Sequence, residues 1–382
     1  APWRDFAWLD EAALIPLDSV VTEVTVDGAS PPQVARGSVV TDTDGVRQST
    51  LLFAENTTAT LVLSDGTLLP VDTLHIRASE YTVGPNGPQA MPGPLPPNSA
   101  YTYAVELSAD EAIAAGAKSV RFNQPVIHYV ENFLDFPVGE EVPAGYYDRD
   151  RATWLASEDG LVVKIVGIVD GQAELDGDGD DVADYPGSLG DTEAERRQLA
   201  ELYPIGQELW RVPIPHFTPW DLNWPYRPPM DAIGPNGGPP RTDKPLDDPC
   251  ERSGSIIECQ NQILGESFDV TGTPFRLNYR SDRVLGRAAA NTLDIPLSGA
   301  SLPASLERIE LTIEIAGRRF EEVFSHTSSA IAPNQLYSFT WDGRDAYGRD
   351  VQGAAFVDVT IRYVYPLIYT VPALGVQSFA LP

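Results

Sequence analysis

The densest run of ligand-type side chains is Asp176-Gly177-Asp178-Gly179-Asp180-Asp181-Val182-Ala183-Asp184. Carboxylates at alternating positions of a short loop can turn inward together when the loop wraps a hard cation. Calcium takes about six to eight oxygens, and calcium loops supply them from their first, third, fifth, seventh and ninth positions, with a bidentate Glu at the twelfth. Here Asp176, Asp178, Asp180 and Asp184 occupy the first, third, fifth and ninth positions, and the carbonyl of Val182 fills the seventh. Two departures matter. The sixth position is Asp181, where glycine would ease a left-handed turn, and the twelfth is Gly187 instead of Glu. Two readings stay open: a calcium site, and a solvated acidic loop whose carboxylates repel one another.

The other chemical side chains are sparse. Cys250 and Cys259 are the only cysteines. A disulfide across that short loop suits an oxidising compartment, and two free thiols are the alternative. Two cysteines cannot complete an ordinary structural zinc site, and His75, His128, His216 and His326 lie far apart in sequence. The aromatic set Trp210, Phe217, Trp220, Trp224 and Tyr226 reads as a sugar platform or as packing. The sequence has no phosphate-binding Gly loop, no Gly-x-Ser-x-Gly elbow and no His-Glu-x-x-His. The expected answer to whether it is an enzyme is therefore no.

The elements that must position these residues are mostly strands. With 382 residues the chain exceeds one ordinary domain. Its 31 Gly and 34 Pro punctuate short apolar runs, which predicts an all-β fold of tandem β-sandwiches with minor helices. Strands are predicted near residues 20–26, 38–45, 51–53, 58–63, 74–77, 101–107, 120–122, 126–130, 161–169, 309–315 and 356–363. Helices are predicted at 109–117, with Ser108 as N-cap, and at 191–203. A Pro/Gly-rich stretch at 225–252 reads as a linker. The expected organisation is an N-terminal β segment at 1–50, a sandwich with the acidic loop at 51–224, that linker, and a second sandwich at 253–382.

The net charge of -29 repels phosphates, so nucleic-acid and anionic-membrane partners are not expected. No run of about 18 apolar residues is long enough to cross a bilayer, so no membrane insertion is expected. The chain starts at Ala1 without Met, and is read as a processed or excised piece of a secreted or cell-surface protein.

Several stretches resemble the segment ahead of the YD-repeat shell in large bacterial Rhs-type proteins. They are residues 254–262, 272–287 (Gly-Thr-Pro-Phe-Arg-Leu-Asn-Tyr-Arg-Ser-Asp-Arg-Val-Leu-Gly-Arg) and 339–349 (Phe-Thr-Trp-Asp-Gly-Arg-Asp-Ala-Tyr-Gly-Arg), with 125–148 and 210–224 upstream. The resemblance implies a scaffold whose C-terminal part leads into, or plugs, a hollow shell that encloses a toxin or presents an adhesion module. Implied partners are that downstream shell and, further out, other surface or secretion-system proteins. The alternative class is a surface adhesin or carbohydrate-binding module. The acidic loop followed by the helix at 191–203 is similar to an incomplete, dockerin-like half-site.

The triplet His216-Phe217-Thr218 resembles the His-apolar-Ser/Thr cleavage motif of GAIN-type self-cleaving β-sandwiches. That resemblance implies Thr218 as nucleophile, His216 as base and the Phe217–Thr218 peptide as the bond cut. The flanking cysteines common in such domains are missing, and Pro219 follows the nucleophile. The residues by themselves also read as an end strand with the peptide left intact, and that outcome is expected.

Overall fold

The computed structural model describes residues 13–83, 87–97, 99–242, 265–280, 291–325, 331–370 and 379. They fall into two compact units: the described parts of 11–227 with 367–382, and those of 228–366. The first unit contains β1 (Thr22–Thr25), β2 (Gln33–Asp42), β3 (Gly45–Phe53), β4 (Ala59–Leu63), β5 (Leu68–Val71), β6 (Thr73–Glu80), β7 (Ala104–Ala109) and β8 (Ala117–Glu131). It continues with β9 (Glu141–Val142), β10 (Gly145–Asp148), β11 (Thr153–Ala156), β12 (Gly160–Val169), β13 (Gln172–Asp176), β14 (Glu208–Phe217), β15 (Pro219–Asp221) and β16 (Tyr226–Arg227). Two helices, α1 (Asp110–Ala114) and α2 (Glu193–Leu202), interrupt the strands.

One sheet runs β1-β6-β7-β15-β10-β11. The other runs β13-β12-β14-β8-β3-β2, with β4 on β8, β5 on β4 and β9 on β12. Leu74, Ile76, Val105 and Leu107 from the first meet Leu51, Phe53, Val126, Trp210 and Val212 from the second, forming the sandwich core. The larger sheet is apolar on its outer face too. There Leu52, Tyr129, Val163, Ile165 and Leu209 pack under Leu199 of α2. A strand covered on both faces reads as a continuous apolar run, which explains 161–169.

α2 begins on a capping box: the Thr192 hydroxyl accepts the Glu195 N–H while the Glu195 carboxylate accepts the Thr192 N–H. α1 departs from expectation. Its N-cap is Ala109, without a side-chain cap bond, because β7 runs on through Ser108 to Ala109. The strands predicted at 120–122 and 126–130 are one strand, β8, and Pro125 sits in it. Pairing with β14 passes from Ile214–Val126 to His216–Arg121 there, a break in register that absorbs Pro125 and Pro215.

The second unit contains β17 (Arg241–Thr242), β18 (Gly265–Asp269), β19 (Arg276–Arg280), β20 (Thr292–Pro296), β21 (Arg308–Ile315), β22 (Arg318–Ser325), β23 (Leu336–Thr340) and β24 (Val357–Val364). Sheets β17-β20-β23 and β22-β21-β24 enclose Ile295, Ile309, Leu311, Ile313, Phe339 and Trp341, and β18 pairs with β19 as a separate hairpin. Every second residue of β21 is buried, as its alternation predicts. The chain as a whole is all-β with minor helices.

Three boundaries differ from the sequence expectation. Residues 22–50 are not a separate segment, because β1 pairs with β6 while β2 and β3 join the sheet of β8. Residues 228–242 are not a free linker. The Asp231 carboxylate accepts from the Ser305 hydroxyl at 2.5 Å, Asn236 Oδ1 from the Gly299 N–H at 2.7 Å, and the Ile233 carbonyl from the Tyr365 hydroxyl at 2.7 Å. These side-chain bonds fasten a Pro/Gly-rich strand to the second unit. Finally, the chain returns to the first unit after 366. There β25 (Ile368–Tyr369) pairs with β16, and the Thr370 N–H donates to the Pro225 carbonyl at 2.9 Å.

Candidate functional site

The acidic loop leaves the end of β13 and leads to α2. Asp176 is its pin: fully buried, it accepts the N–H groups of Gly179 at 2.7 Å, Asp181 at 2.9 Å and Asp178 at 3.1 Å. Burial raises its carboxyl, yet these N–H bonds prevail and hold it below the usual carboxylate range. Further along, Asp178 accepts the Asp180 N–H and Asp180 accepts the Val182 N–H. One carboxylate oxygen each from Asp176, Asp178 and Asp180 lies within 4.8 Å of the other two. The Asp180 N–H pulls the Asp178 carboxyl down, but Asp180, partial burial, Asp184 and Asp176 together push it above its usual value. A divalent cation would relieve that repulsion.

The remaining predicted ligands are placed differently. Asp184 stands outside the group of three and accepts the Gly177 N–H at 2.8 Å, which closes the loop on itself. Asp181 turns away to Lys164, 2.5 Å from its ammonium. The backbone of Asp181 has φ +61°, the left-handed geometry that glycine normally supplies. Val182 has an exposed side chain. Gly179 is required: its φ is +83° and a Cβ there would lie 2.8 Å from the Val138 carbonyl oxygen.

The second predicted site lies where β14 passes into β15. β8 and β12 hold β14 from its two sides, while β7 and β10 hold β15. Phe217 is buried against Phe53 and Phe122, and Thr218 is buried between the strands. The Thr218 carbonyl accepts the Leu107 N–H at 3.4 Å. Thr218 Oγ1 is 3.3 Å from His216 Nδ1. The His216 ring meets Tyr146 edge-on at 4.6 Å, and its carbonyl accepts the Trp220 indole N–H at 3.0 Å. Burial, assisted by Arg121, lowers the His216 imidazole to about 4. It is therefore neutral at ordinary pH, and its unprotonated nitrogen can accept a hydrogen bond from the Thr218 hydroxyl.

The aromatic cluster is core. Trp210, Trp220 and Trp224 are fully buried, and Trp224 stacks on Phe136 with centroids 3.8 Å apart. Tyr226 alone of the set is exposed. Cys250 and Cys259 lie outside the described residues. Sequence reasoning missed two buried polar arrangements. Ser49 Oγ lies 2.8 Å from His128 Nε2, and burial lowers that histidine to about 3. Asp221 is fully buried, pairs one oxygen with Asn223 and leaves Oδ2 without a partner among the described residues. Neither carries a local pattern, since strand pairing alone assembles them.

No family model matches the chain. The chain is 32% identical to teneurin-3 of Mus musculus over 111 residues, 29% of this chain and 4% of that protein. It is 32% identical to teneurin-4 of Homo sapiens over 116 residues, 30% of this chain and 4% of that protein. It is 33% identical to teneurin-1 of Caenorhabditis elegans over 111 residues, again 29% and 4%. The chain thus spans about 4% of the length of these curated relatives. All three are animal proteins. Among the described residues no helix is long and apolar enough to cross a membrane.

Proposed function

We propose that this chain is an extracellular structural segment of a larger YD-repeat protein, leading into a shell that encloses a toxin or presents an adhesion module. The observation that carries the reading is the likeness to teneurins, which contain repeats of the YD/Rhs type. The resemblance of 272–287 and 339–349 to the pre-shell segment of Rhs-type proteins points the same way. Its partners are then its own downstream shell and, beyond that, other surface or secretion-system proteins. The net charge of -29 argues against nucleic acid. Calcium is the cofactor of this reading, held by Asp176, Asp178 and Asp180. Electron cryomicroscopy of the full-length protein tests it: the chain seated against a YD-repeat shell supports it, and a full-length protein lacking such repeats sinks it.

We read the chain as non-enzymatic, with the Phe217–Thr218 bond intact. One observation favours a second reading, a self-processing domain: the 3.3 Å approach of Thr218 Oγ1 to His216 Nδ1. In that reaction the hydroxyl adds to the Phe217 carbonyl and its proton passes to His216. The C–N bond then breaks, the Thr218 nitrogen takes the proton, and water hydrolyses the resulting ester. Intact mass of freshly purified protein separates the two readings. One mass supports the scaffold, whereas a pair split after Phe217 and lost in Thr218→Ala establishes processing.

A further inference from the structure

We propose that Asn236-Gly237 is a self-modification site whose reaction unfastens residues 228–242 from the rest of the second unit. The Asn-Gly step occurs at Asn86-Gly87 and at Asn236-Gly237, each time after Gly-Pro. Asparagine is a thermally labile side chain, and a following glycine leaves its own peptide nitrogen unshielded because it has no Cβ. In the reaction the Gly237 nitrogen gives its proton to water and bonds to Cγ of Asn236. The Cγ–Nδ2 bond breaks and ammonia leaves, which closes a cyclic imide. Water then opens the imide. Attack at Cγ gives Asp, and attack at the main-chain carbonyl carbon gives an isoaspartyl residue whose backbone is longer by a methylene group.

The fold holds the reactant and opposes both products. Asn236 is exposed, so water and base reach it, yet both ends of its amide are engaged. Oδ1 accepts the Gly299 N–H at 2.7 Å and lies 3.1 Å from the Tyr363 hydroxyl, and Nδ2 donates to the Ser301 carbonyl at 3.2 Å. Closing the imide rehybridises Cγ and expels Nδ2, so these bonds must be surrendered first, and the reaction follows local opening of the strand. After conversion to Asp, a carboxylate oxygen faces the Ser301 carbonyl where an N–H donor stood, and two acceptors repel. After conversion to isoaspartate, an added methylene must fit beside Gly237. Even a Cβ there would lie 2.3 Å from the Pro296 carbonyl oxygen and 2.9 Å from the Ser298 nitrogen. The strand is then left with its bonds from Asp231 to Ser305 and from Ile233 to Tyr365. None of this depends on the scaffold reading.

Peptide-mapping mass spectrometry of the intact chain, aged in mildly alkaline buffer with and without urea, tests it. Asn236 should convert in urea, and about tenfold or more slowly in the folded chain, a protection set by local opening. Tyr365→Phe loosens the strand without touching Asn236. It should speed conversion in the folded chain about fivefold, the worth of one hydrogen bond, and leave the rate at Asn86 unchanged. Limited trypsinolysis reads the consequence at Arg241, which is exposed on β17. Cleavage there should be about tenfold faster in Asn236→Asp than in wild type, because the loosened strand opens more often, and unchanged in Asn86→Asp. The proposal is overturned if Asn236 does not convert in urea or converts as fast in the folded chain. It is equally overturned if Tyr365→Phe leaves the rate unchanged, or if Asn236→Asp is cut after Arg241 no faster than wild type.

Discussion

The acidic loop and the His216–Thr218 corner are built in opposite ways. The loop is held by its own sequence: its carboxylates bond backbone N–H groups two to seven residues away, and its side chains remain largely in water. The corner is held from outside, by four neighbouring strands and by rings from Tyr146, Trp220, Phe53 and Phe122. Local bonding holds the Asp176 carboxyl low and sets Asp178 among neighbouring carboxylates that repel it, an arrangement suited to a cation. Burial leaves the corner's histidine neutral and disfavours its taking up a proton. Electrostatics therefore governs the first region and desolvation the second.

The largest expected effect separates them by pH. His216 and His128 are lowered to about 4 and about 3 by burial, whereas the unfolded chain has an ordinary histidine value. Their contribution is thus fully present above about pH 6.5 and is lost as pH falls toward those values, at about 2 kcal/mol for each by pH 5. Asp221 tilts the other way. Burial pushes its carboxyl up, so its contribution is complete at low pH and lost as pH rises. In an Asp221→Asn background, urea melts should show the two histidines removing about 4 kcal/mol of stability between pH 7 and 5, against the opposite pull of Glu80, Glu106, Glu131 and Glu140, whose carboxyls burial also pushes up. Adding His128→Gln and His216→Gln should flatten that slope, and an unchanged slope would remove the buried histidines from the account.

Next in size is Asp176→Ala. It strips the acceptor from three N–H groups, at an expected cost of about 3 kcal/mol in EDTA. At ~2–4 °C per kcal/mol for a domain of this size, the first unit should melt about 6–12 °C lower by calorimetry. The Asp178→Ala/Asp180→Ala pair should leave the melt in EDTA unchanged or slightly raised, because it removes repulsion. If the pair costs as much as Asp176→Ala, the loop's self-support is misassigned.

Calcium, held by Asp176 with that exposed pair, should then lose its effect when the pair is removed. At about a hundred times its Kd it stabilises by about 2.7 kcal/mol if it binds the folded loop alone. The wild-type melt should rise accordingly and that of the double variant should stay put. Equal shifts in both would place the ion elsewhere. The smallest effect belongs to Thr218→Ala. Its hydroxyl makes only long contacts, at 3.3 and 3.4 Å, so stability should change by less than about 1 kcal/mol. Wild type and variant should each run as one band on a denaturing gel.

How much the sequence disclosed follows the same division. Alternating carboxylates are a local pattern, so Asp176, Asp178 and Asp180 were legible together, as was the awkward backbone at Asp181. Asp184 stands outside that group, because spacing counts positions and cannot say that the Gly177 N–H bonds one oxygen of its carboxylate. Alternation disclosed β21 and β24, while Pro125 made one long strand look like two. Ser108 resembled a helix cap only because nothing local says where β7 stops. Ser49 with His128, Asp221, and the chain's return at β25 all rest on long-range strand pairing, for which single-sequence patterns carry no signal. The cysteine pair falls outside the described residues.

The pairing of β16 with β25 has a mechanical consequence. Tyr226 faces Tyr369 and Arg227 faces Ile368, so residues 228–366 leave and re-enter the first unit at one doorway. The sequence on either side of that excursion is anchored in the same unit, with Phe379 seated beside Trp154 and over Gly145. Tension applied along the chain, from residues near 13 to residues near 379, would pass through the first sandwich and across this doorway. Residues 228–366 would take up strain only after β16 and β25 had parted.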